Sequence, residues 1–130
     1  MDKFLKLLDK IKKIPGAYLG KKSLDKLSEF ISCYELVFKE ITGQDLLFVS
    51  RFSIYIEYEY KIKWDQNQWW SDIISQNKTP EEAFDLFYQH LEKFKILLET
   101  PDVFQTMQME NMIRQQADFE RWKSEVDFDS

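Results

Sequence analysis

A forced break at Ile14-Pro15-Gly16-Ala17-Tyr18-Leu19-Gly20 separates a short amphipathic segment from the longest apolar periodicity in the chain. Pro15 lacks an amide donor and pushes Ile14 out of the helical region, and two of the only three glycines fall at Gly16 and Gly20, so the stretch reads as a turn. Ser23 then has the character of a helix N-cap. Beyond it, Leu24, Leu27, Ile31, Tyr34, Phe38 and Ile41 recur at helical spacing, with Phe30 and Val37 widening the stripe until Gly43 closes it. This pattern predicts a helix over residues 23–42 as the spine of the core. Ahead of the break, Phe4, Leu7, Leu8, Ile11 and Ile14 repeat in three- and four-residue steps opposite Lys3, Lys6, Lys10 and Lys13, which predicts a lysine-backed helix.

The remaining elements follow from the same two signals, periodicity and punctuation. Residues 46–64 are ambiguous. Ile54, Ile56, Tyr58, Tyr60, Ile62 and Trp64 alternate with polar residues, as in a half-buried strand, yet no other stretch alternates and a lone strand leaves its backbone groups unpaired. A helix through about Tyr60 also accounts for the pattern, with Ser50, Ser53, Glu57 and Lys61 as its polar stripe. Trp64 to Gln68 reads as a loop, and Trp69, Trp70, Ile73 and Ile74 as a short helix in which Trp70 is buried and Trp69 left outward. Thr79-Pro80-Glu81-Glu82 is a capping-box start for a core helix through Ala83, Phe84, Phe87, Leu91, Phe94 and Leu98. Thr100-Pro101-Asp102 opens a last helix to about Lys123, less regular, with Met107, Met109 and Met112 as gap-fillers or an adaptable surface.

The fold class expected is therefore all-α, a single-domain bundle of five or six helices over residues 1–124 with a frayed acidic tail at 125–130. The runner-up is α+β, with residues 53–64 as a strand. At 130 residues such a chain buries roughly two-thirds of its unfolded surface, enough for one core. Eleven phenylalanines, six tyrosines and four tryptophans mean that the core is built from large flat side chains.

Charge is segregated. Residues 1–26 hold eight lysines against three aspartates, a net +5, whereas residues 27–100 and 101–130 carry −6 and −4. An acidic body argues against general nucleic-acid binding and for a basic partner. The lysine-backed helix has the pattern of a membrane-surface or phosphate-touching element, and equally of a solvated face. One cysteine, Cys33, leaves nothing for an internal disulfide, and the charged opening residues do not resemble a signal peptide, so a cytoplasmic location is expected. Cys33 with His90 is the one nucleophile and base combination available, and no third orienting group accompanies it. No catalytic, cofactor or metal constellation is visible, and the chain does not read as an enzyme.

Pro15-Gly16-Ala17-Tyr18-Leu19-Gly20, then Ser23-Leu24, Leu27, Phe30-Ile31 and Tyr34, followed by Phe52, Ile56, Tyr60, Trp70-Ser71-Asp72-Ile73-Ile74, Ala83-Phe84 and Phe87, resembles small bacterial immunity proteins of polymorphic-toxin and contact-dependent growth inhibition systems. The resemblance covers residues 4 to about 94. Cys33 departs from it, standing where glycine is expected before the tyrosine. It implies a non-catalytic module that occludes a cognate toxin domain. The acidic body suggests that the toxin is basic, as a nuclease would be. The partner surface expected is the acidic and aromatic middle of the chain, Glu57, Asp65, Trp69 and Asp72. The competing expectation is a regulatory or scaffold subunit that applies its basic first helix to nucleic acid or a membrane surface.

Overall fold

The computed structural model describes residues 1–66 and 68–126. Among these residues seven helices follow one another, one more than the five or six expected because the break after the first is itself helical: α1 (Asp2–Lys13), α2 (Pro15–Leu19), α3 (Leu24–Thr42), α4 (Phe48–Glu59), α5 (Trp70–Ser75), α6 (Pro80–Leu98) and α7 (Pro101–Val126). No strand occurs among the described residues. The all-α reading holds, and the period-two stretch is helical to Glu59. It turns at Lys61, where φ is 50°, so that Ile62 is returned to the core.

The break after α1 is built differently from the expected open turn. Pro15 starts α2, little more than one helical turn, where its missing amide costs nothing, and Gly20 ends it at φ 82°. Ser23 occupies the cap position of α3 in extended conformation, but its side chain does not cap. Its carbonyl receives the amide of Leu27 instead. Gly43 closes α3 at φ 72° with its amide on the Lys39 carbonyl, the left-handed ending that glycine takes without a Cβ penalty. The capping box is complete: Thr79 Oγ1 accepts the Glu82 amide at 3.1 Å and the Glu82 carboxylate accepts the Thr79 amide at 2.9 Å. The Thr79 amide first, and the Thr79 hydroxyl with it, hold the exposed Glu82 carboxyl below its ordinary range.

The spine is α6, not α3. Ala83, Phe84, Phe87, Tyr88, His90, Leu91 and Phe94 are all buried along it, and α1, α3, α4 and α5 lay Phe4, Leu8, Ile11, Leu24, Leu27, Ile31, Phe48, Phe52, Trp70 and Ile74 around it. Phe52 is the hub of the aromatic packing, with ring centroids 5.2–5.3 Å from Phe48, Phe87, Trp70 and Phe94. The outer half of α3 overshoots this core. Val37 and Ile41 are 56% and 78% exposed, and Phe30, Tyr34 and Phe38 are only partly buried. The apolar spacing expected to run through the core as far as Ile41 therefore leaves it after Ile31.

The last helix is a single rod reaching Val126, three residues past the expected end, and residues 127–130 of the expected tail lie outside the described residues. It buries Met107 and Asn111 and leaves Met109, Met112 and Ile113 exposed, so of the methionines only Met107 fills the core. Arg114 fastens the rod to α4. Its guanidinium donates to the carbonyls of Glu57 and Ile62, each at 3.2 Å, and to the Asn111 side chain. Further along, Trp64 stands edge-on between Phe119 and Trp122, with centroids at 4.9 and 5.0 Å.

Candidate functional site

The four residues expected to form a partner surface do not share neighbours. Glu57 is turned into the α4–α7 contact beside Asn111 and Arg114, and partial burial raises its carboxyl despite both. Asp65 borders a notch of about 160 Å³ with Trp64, Asp118 and Trp122 at the far end of α7. Trp69 and Asp72 alone stay together, at the N-terminus of α5, with Asp72 exposed. The expected division between the two tryptophans is met, since Trp70 is 2% and Trp69 46% exposed.

Trp69 lies across α3 in a position fixed by its own polar atom. The indole N–H donates to Ser28 Oγ at 3.2 Å, so the ring faces a hollow of about 330 Å³ bounded by Leu36, Val49 and itself. Of the polar side chains around the hollow, Ser32, Glu35, Lys39 and Asp45, the three charged ones already have partners. Glu35 accepts the Val49 amide at 2.7 Å, supplying the side-chain cap that α4 lacks, because its own cap residue Leu47 has no side-chain oxygen and sits at φ 66°. Lys39 pairs with Asp45 at 3.1 Å. What remains available is apolar, with Leu36 68% exposed at the mouth. Sequence reasoning named Trp69 but not Leu36, Val49 or Glu35. Leu36 stands off the α3 stripe, which was itself a signal that it serves something other than the core.

The nucleophile and base combination is not assembled. Cys33 is exposed on α3, whereas His90 is buried on α6 with Nδ1 3.1 Å from the Tyr55 hydroxyl and Nε2 2.8 Å from that of Tyr60. In the neutral ring one nitrogen donates and the other accepts, and two phenols satisfy either tautomer. Burial lowers the His90 pKa, with Glu59 opposing and Lys93 assisting, and the same burial drives the Tyr55 hydroxyl far above the ordinary phenol range. The folded value lies below the unfolded one, so folding releases a proton from a protonated His90. Stability is then full above about pH 6.5 and falls as pH drops through the folded value, with a slope of at most about 1.4 kcal/mol per pH unit. His90→Gln is expected to flatten this part of the urea-stability profile between pH 7 and 5. An unchanged slope would place the titration elsewhere.

No group of three or more histidine, cysteine or acidic side chains among the described residues is arranged to hold a metal. None of the described helices is long and apolar enough to cross a membrane. Comparison of the chain with protein-family models, with curated proteins and with solved structures found no match.

Proposed function

We propose that this is an immunity protein, a cytoplasmic module that binds a cognate bacterial toxin domain and neutralises it by occlusion, without catalysis of its own. The observation that carries the reading is the preorganised hollow at Trp69. An aromatic anchor locked by Ser28, open on one side, with its charged neighbours already paired, has the anatomy of an interface hot spot and loses little side-chain entropy on binding. Asp72 and the net −6 of residues 27–100 favour a basic partner and faster encounter. The resemblance of residues 4 to about 94 to immunity proteins points the same way. The regulatory alternative has less to work with, because Phe4, Leu8 and Ile11 are committed to the core. For α1 to insert those residues into a membrane it would have to leave the bundle.

The test first asks whether a toxin domain is encoded immediately upstream of this gene, and then uses that domain. Trp69→Ala is expected to stay folded, with a melt lowered only by the loss of a half-exposed ring and its bond to Ser28, and to weaken toxin binding by more than about 2 kcal/mol, roughly thirtyfold, with loss of protection in co-expressing cells. Asp72→Lys should act mainly on a salt-sensitive association rate. Absence of a toxin gene there, or variants that bind and protect like the parent, would refute the reading at its source or at this surface.

A further inference from the structure

We propose that the valley between α1 and α3 is a second docking surface, opposite in charge to the Trp69 side, and that its occupant is an acidic amphipathic helix of a partner protein. Both helices spend one flank on the bundle. On α1, Asp9 pairs with Lys95 at 2.9 Å and the Leu8 carbonyl accepts from Tyr88, both partners being on α6. On α3, Ser28 and Glu35 hold Trp69 and the start of α4. The two helices touch at the edge of the core, where the buried Phe4 and the half-buried Tyr34 lie 4.8 Å apart, and their remaining flanks run on from that contact.

From that contact an aromatic ladder runs along α3, Phe30 to Tyr34 to Phe38, with successive centroids 6.4 Å apart. All three rings are only partly buried, and Val37 and Ile41 stand exposed beside them. The α1 wall has Leu7 half-buried and Ile14 exposed on the same three- and four-residue spacing as Lys3 and Lys10. None of the lysines of α1 is ion-paired among the described residues. The charge of this end of the chain, +5 over residues 1–26, contrasts with the acidic remainder.

Recessed rings between two helices suit a third helix laid lengthwise, whose apolar side chains descend at i, i+3, i+4 and i+7. A flat bilayer would reach Val37 and Ile41 and miss the ladder. The lysine wall selects carboxylates on the flank of that helix, so a basic toxin is not its occupant. The inference stands independently of the toxin reading.

The experiment titrates the full-length protein with a labelled helical peptide of roughly 18 residues, leucines at i, i+3, i+4 and i+7 and glutamates on its flanks. A second peptide replaces every glutamate by lysine. The acidic peptide is expected to bind at least about tenfold more tightly than the basic one, with an affinity that falls as salt rises. Val37→Glu and Ile41→Glu, both at exposed positions and checked by thermal melt, are expected to abolish binding, whereas Trp69→Ala leaves it unchanged. Equal affinity for the two peptides, no binding of either, or Val37 and Ile41 variants that bind normally would overturn the proposal. So would binding to phosphatidylglycerol vesicles without binding to the acidic peptide, which would make this a membrane surface.

Discussion

Phe52→Ala is expected to lower stability by about 3–5 kcal/mol in urea unfolding, the range for emptying a fully buried aromatic site. Phe52 shows no exposed surface, and its ring is met by Phe48 in near-parallel stacking and edge-on by Trp70 and Phe94. Truncation removes the transfer free energy of the ring and leaves a void whose rigid aromatic walls cannot close in. Phe87→Ala belongs to the same class, since Phe87 is equally buried and lies 5.3 Å from Phe52. Phe30→Ala does not. Its ring is only partly covered, and a loss of about 1–2 kcal/mol is expected from the smaller area returned to water. A Phe30 variant that loses as much as the Phe52 variant would show that the outer half of α3 is packed after all.

Arg114→Leu is the second large effect, about 2–4 kcal/mol. The guanidinium braces the turn after α4 by donating to the carbonyls of Glu57, which also accepts the Ile62 amide, and of Ile62, while binding Asn111 on its own helix. Leucine keeps the apolar stem but takes the donor from the buried Asn111 side chain, removes one of two donors from each carbonyl (the Ile62 amide at 3.0 Å and Gln115 at 3.4 Å remain), and withdraws the cation beside the half-buried Glu57 carboxyl. All three bonds leave from Nη2 while Nε has no partner, and Arg114→Lys is expected to recover only part of the loss, because the ammonium sits on a shorter stem than the nitrogen it replaces. If both variants melt like the parent, the α4–α7 contact is held by Met107 and the Tyr58–Glu110 bond (3.0 Å) instead.

The helices were legible wherever punctuation and periodicity agreed. Thr79 to Glu82 specifies its capping box from four residues, and Gly43 marks its own stop. The alternation over residues 53–64 was a true ambiguity of pattern. Ile54, Ile56, Tyr58 and Tyr60 satisfy a two-residue period as well as a helical one, and the decision rests on backbone partners that only the whole chain supplies. The misplaced spine has a different cause. Spacing reports which side chains of α3 share a face, but it does not report how far neighbouring helices extend over that face. The Trp69 hollow was half legible for a related reason. A tryptophan beside a buried tryptophan can be read from helical angles, whereas the meeting of Ser28, Glu35 and Val49 depends on where α3 crosses α4 and α5.

The tryptophans have an optical consequence. They stand in two close pairs, Trp69 with Trp70 at 6.4 Å and Trp64 with Trp122 at 5.0 Å, and indoles this near one another couple their transitions. The first pair straddles the edge of the core. The second exists only while the free end of α7 lies against the loop after α4. The near-ultraviolet dichroism of this protein is therefore expected to contain two separable contributions, one of which would disappear if the rod swung away while the core stayed intact. Replacing Trp122 by phenylalanine would silence that contribution and leave the other, giving a direct optical count of how often the long helix is docked.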